Sequence, residues 1–69
     1  MTIKDFNSGD SVRYIPKHAK GNINHPECEN GIVTSTNEKY VFVRYIRNNV
    51  LQSTAAATLP EQLIKFYEK

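Results

Sequence analysis

A chain of 69 residues with 39% hydrophobic and 23% charged content suits one soluble domain, close to the size below which a single core no longer offsets chain entropy. A formal charge of +2, from nine basic and seven acidic residues, excludes the strong electrostatic footprint of a dedicated polyanion binder. The lone cysteine, Cys28, excludes an intramolecular disulfide, and no apolar run approaches the roughly 20 residues of a membrane span.

Residues 1–30 carry four basic and four acidic side chains and residues 31–69 carry five and three, so the positive excess belongs to the second half. No composition shift, internal repeat or low-complexity tract divides the chain, and a single domain over 1–69 is expected. Met1-Thr2-Ile3-Lys4-Asp5 lacks the apolar stretch of a signal peptide, which makes the cytoplasm the expected compartment, with no membrane partner.

Residues 1–8 read as a lead-in in which Phe6 tucks against the core. Ser8-Gly9-Asp10 supplies turn chemistry before a first strand that runs to about Ile15, where Pro16 removes a backbone donor and ends regular pairing. Residues 17–30 then form a long loop with both histidines, Cys28, Gly21, Pro26 and three asparagines, and only Ala19 and Ile23 as aliphatic residues. Loops longer than about 12 residues are uncommon in compact domains and are often functional.

A second strand is expected from Ile32 to about Thr36, joined through Asn37-Glu38-Lys39 to a third in which Val41, Val43 and Tyr45 share one face and Phe42, Arg44 and Ile46 the other. The charge of Arg44 makes its own face the outer one. Arg47-Asn48-Asn49 is a second hairpin turn, followed by a strand rich in small residues from Val50 to Thr58. Thr58, Pro60 and Glu61 form a helix-start signal. The signal leads either to a C-terminal helix over 60–69 or, preferred here, to one 3₁₀ turn from Pro60 to Leu63 and a closing strand from Ile64 to Tyr67. The preference rests on the open edge that four strands would otherwise leave.

The series Gly9-Asp10-x-Val12-x-Tyr14, a long loop, Gly31-x-Val33, a short hairpin, Val41-x-Val43-x-Tyr45, a small-residue strand and Pro60-x-x-Leu63 resembles the SH3-like barrels, which include KOW and Tudor modules. The resemblance covers about residues 9–67 and implies an all-β, five-stranded barrel that meets ligands with its long first loop, its Asn37–Lys39 turn and its final 3₁₀ turn. His18-Ala19-Lys20-Gly21 and His25-Pro26-Glu27-Cys28-Glu29 are also similar to small uncharacterised proteins of phages and prophages, which implies a mobile-element origin.

Tyr14, Tyr40, Phe42 and Tyr45 are too dispersed over strands for an aromatic cage and read as packing residues. His18, His25 and Cys28, with Glu27 or Glu29, are zinc-type donors, but the loop lacks a second paired half of a zinc motif, so no metal or other cofactor is expected. A Cys28 nucleophile served by His18 or His25 lacks orienting and oxyanion groups, and the chain reads as non-enzymatic. The expected role is therefore binding, with a protein as partner. Lys17, His18, Lys20, Lys39, Phe42, Arg44, Ile46 and Arg47 are the candidate contact residues, and self-association through the same face is a further option. The alternative is a nucleic acid lying on a basic and aromatic strand face that also draws on Arg13.

Overall fold

Asn7 begins a tight turn in which its backbone N–H donates to Asp10 Oδ2 at 2.8 Å and its carbonyl accepts from the Asp10 N–H at 3.0 Å. Gly9 within that turn has φ +92°, a conformation that only glycine adopts without strain. The turn delivers the chain into β1 (Ser11–Tyr14), and in this computed structural model, which describes residues 3–65, five further strands follow. They are β2 (Glu29–Thr36), β3 (Val41–Arg47), β4 (Val50–Leu51), β5 (Ala56–Thr58) and β6 (Leu63–Lys65), and the protein is all-β.

All pairings are antiparallel. The path runs β4-β3-β2-β1-β6, and β5 pairs the other half of the β3 edge that β4 occupies. Among the described residues no ladder joins β5 to β6, so the sheet is not closed. The 3₁₀ turn Pro60–Gln62 spans that seam, tied to β1 where the Ile15 N–H donates to the Gln62 carbonyl at 2.8 Å.

The period-two reading of β3 holds: Val41, Val43 and Tyr45 are buried with Phe6, Val12, Val33 and Leu63 in one core cluster, flanked by Ile3 and Tyr14. Phe6 tucks in as expected. Gly31 lets β2 and β3 close on this core. A Cβ there would run into the Val43 side chain and sit 2.9 Å from the Arg44 carbonyl oxygen. Asn37 makes the first hairpin turn by accepting from the Lys39 and Tyr40 N–H groups at 2.8 and 2.7 Å through its own Oδ1. Asn48 and Asn49, both at positive φ, make the second, where asparagine is among the residues that tolerate the left-handed region.

Three expectations need correction. The single strand over Val50–Thr58 is two strands, which makes six among the described residues in place of five. At the break the Gln52 carbonyl accepts from Arg44 Nε at 2.7 Å, and the small side chains of residues 53–55 offer little packing to hold the intervening segment on the ladder. β2 starts at Glu29, inside the segment read as loop, because Glu29 and Asn30 pair opposite Tyr14 and Arg13. The C-terminal signal yields the preferred 3₁₀ turn, and the correction there is to β6, which starts at Leu63, one residue earlier than expected, with Leu63 buried opposite Tyr14. Phe66 and Tyr67, the end of the expected closing strand, lie outside the described residues.

Candidate binding surface

Residues directly opposite one another in an antiparallel ladder project from the same face. Leu51 faces Ile46, Ile46 faces Asn30, Asn30 faces Arg13, and Arg13 faces Ile64. These five residues form one row across five strands on the side away from Val12, Val43 and Tyr45. Arg13 ties the row together: its guanidinium donates to Asn30 Oδ1 at 2.5 Å and, through Nε, to the Ile23 carbonyl at 2.7 Å. The second bond fixes the long loop against the outer face.

Ile46, Leu51 and Ile23 are 38%, 41% and 49% exposed. They are three of the four large apolar side chains exposed among the described residues. The fourth, Val50, pairs with Arg47 and so projects from the opposite face of the same hairpin. Beside the Ile64 end of the row, the loop and the C-terminal turn enclose a groove of about 350 Å³ lined by Ile15, Pro16, Ile23 and Ile64 together with Lys17 and Glu61.

The loop is a run of tight turns. Lys17–Ala19 is a 3₁₀ turn with Ala19 buried, Lys20 and Gly21 reverse the chain at positive φ, and successive N–H groups of Asn22, His25 and Cys28 bond the carbonyls three residues back. This path carries Glu27 back to His18, whose Nε2 hydrogen-bonds Glu27 Oε2. The His25 ring meets that of His18 edge to face at 5.2 Å. One donor atom from each of His18, His25 and Glu27 lies within 4.8 Å of the others. The remaining metal candidates do not join them: Cys28 Sγ donates to the Asn22 carbonyl at 3.4 Å, and Glu29 accepts from Arg47 Nε at 2.7 Å.

The candidate contact residues divide by location. Lys17, His18 and Lys20 are exposed on the loop, and Ile46 is exposed on the outer row. Phe42 and Arg44 are half-buried on the outer face, and Arg44 is spent on Gln52. Arg47 alternates to the other face and pairs with Glu29. That carboxylate, by hydrogen bond and charge, raises the Arg47 pKa and holds the guanidinium charged. Lys39 lies over the Tyr40 ring at 5.4 Å, beyond the Val41 end of β3, about 20 Å of strand away from Arg47. The basic residues thus do not form one stripe, and Arg13, Arg44 and Arg47 direct their hydrogen bonds into the protein itself.

The chain matches no known protein family, curated protein or solved structure.

Of the four aromatics, Tyr14 and Tyr45 meet, with ring centroids 6.1 Å apart in an edge-on contact. Tyr45 is buried and bonded to Thr58 at 2.6 Å, and burial raises its pKa more than that hydrogen bond lowers it. These are packing roles. Sequence reasoning missed Ile15, Leu51 and Ile64 as surface contributors, because each belongs to an apolar segment whose outward face is set only by register. Ile23 left a usable signal, as one of just two aliphatic residues in an otherwise polar loop.

Proposed function

We propose that this chain is a non-catalytic binding module of the SH3-like barrel type, recognising a protein segment laid across the outer face of its sheet. The observation that carries the reading is the exposed apolar row of Leu51 and Ile46, continued through Arg13 to Ile64, Ile23 and the groove beside them. Exposed apolar side chains gathered on one face, with arginine among them, have the make-up of an interface core. Lys17 and Glu61 balance each other in the groove lining, and the adjoining Arg13 guanidinium, bonded only to the neutral Ile23 carbonyl and Asn30 side chain, adds a positive charge, so charge complementarity selects a partner segment that combines aliphatic side chains with an acidic residue. The similarity of the loop to small phage and prophage proteins extends the proposal to a host protein as the target, bound and inhibited by a mobile-element accessory protein. The dispersal of the basic residues favours this partner over nucleic acid.

The test is a pull-down from host lysate with wild type, Ile46→Asp and Val50→Asp side by side, with and without nuclease. A protein retained after nuclease treatment, lost with Ile46→Asp and kept with Val50→Asp supports the outer-face reading, since the two substitutions put the same charge on opposite faces of one hairpin. Equal retention by both variants, or recovery abolished by nuclease, overturns it.

A further inference from the structure

His18 comes from the first turn of the loop and His25 and Glu27 from its last, and their convergence is a product of the path between: the reversal at Lys20 and Gly21, then three successive i to i−3 bonds. We propose that these three side chains form a binding site for a divalent transition ion of the zinc type, with water completing a four-coordinate shell. The site is independent of the docking face proposed above.

The donor set selects the ion. Two imidazoles and one carboxylate are borderline nitrogen and oxygen ligands, the kind that zinc takes in its three-ligand open sites. Calcium and magnesium require six or more oxygen ligands, and the cluster offers one carboxylate. A tetrahedral shell with bonds of about 2.0–2.1 Å places its donors about 3.4 Å apart. The present spread, at most 4.8 Å, closes by small rotations of His18 and Glu27, both exposed.

Two hydrogen bonds are exchanged for the ion. Binding of the cation at His18 Nε2 displaces the hydrogen shared with Glu27 Oε2, which passes to water, or to Nδ1 where the ring was neutral, so that the coordinated neutral imidazole carries its proton on Nδ1. His25 Nδ1 accepts from the Glu27 N–H at 3.1 Å, so its neutral ring carries the proton on Nε2. Coordination at Nδ1 competes with that N–H, and coordination at Nε2 requires the other tautomer; either route gives up this bond. Cys28 has no place in the shell, because its thiol is turned toward the Asn22 carbonyl. The bound ion clips residue 18 to residue 27, closing the loop across its base.

Titration of the full chain with zinc chloride, followed by calorimetry and by the ring-nitrogen resonances of the two histidines, tests the site. The expected result is saturable uptake of one equivalent with both imidazoles perturbed. Uptake should weaken more than about tenfold in each of His18→Ala, His25→Ala and Glu27→Gln and stay unchanged in Cys28→Ser. His18 and Glu27 are exposed, so their variants keep the fold, and the test does not depend on the half-buried His25. Absence of saturable uptake, uptake indifferent to His18→Ala and Glu27→Gln, or uptake lost with Cys28→Ser would overturn the proposal.

Discussion

Replacing Tyr45 with phenylalanine removes one oxygen from the best-defined polar contact of the core. The Tyr45 and Thr58 hydroxyls lie 2.6 Å apart, on residues 5% and 6% exposed, and they join β3 to β5 beside the open seam. Thr58 Oγ1 also lies 3.4 Å from the Ala56 carbonyl, so its proton keeps an outlet while its acceptor capacity loses the tyrosine. The cost is that of one buried neutral hydrogen bond with partial compensation, about 1–1.5 kcal/mol. In a domain of this size it lowers the melting temperature by about 4–8 °C for each kcal/mol. Urea unfolding of wild type, Tyr45→Phe, Thr58→Val and the double variant isolates the pair, with an expected coupling of about 1 kcal/mol. A Tyr45→Phe variant as stable as wild type, or zero coupling, would refute the account of how β5 is held. The contact also sets a pH dependence. Because burial raises the folded-state pKa of Tyr45 above the ordinary 10.0, its contribution is fully present below pH 10.0 and is lost as pH rises through the folded value. The stability difference between wild type and Tyr45→Phe should therefore shrink above pH 10.0.

Two further substitutions probe the elements that shape the surface. Gly31→Ala forces a Cβ against Val43 and the Arg44 carbonyl and should destabilise by about 1–3 kcal/mol in chemical denaturation, the usual cost of overpacking. Arg44→Ala leaves the Gln52 carbonyl without its guanidinium donor and should cost about 1.5 kcal/mol, with amide exchange of residues 50–55 accelerated before that of β2. Unchanged exchange there would show that the break between β4 and β5 does not depend on Arg44.

Much of this protein was legible in the order of its residues. The alternation of Val41, Val43 and Tyr45 names the inward face of β3, Pro16 ends β1, Gly9 and Asn37 make turns, and Pro60 opens a 3₁₀ turn. Each of these is a near-neighbour effect of steric allowance, local hydrogen bonding or a period of two, so a short stretch of chain carries the whole cause. What tertiary structure decided depends on residues far apart in sequence. Arg44 reaching Gln52 accompanies the split of the expected strand over 50–58, and pairing with Tyr14 and Arg13 draws Glu29 and Asn30 out of the loop and into β2. The register of five strands assembles Leu51, Ile46, Arg13 and Ile64 into one row. The path of the loop brings Glu27 to His18 and leaves Cys28 aside, although residue type alone placed Cys28 with the two histidines among the zinc-type donors. Composition and periodicity specify which face a residue prefers, whereas register and loop path specify which residues meet, and those are fixed only when the strands pair through space.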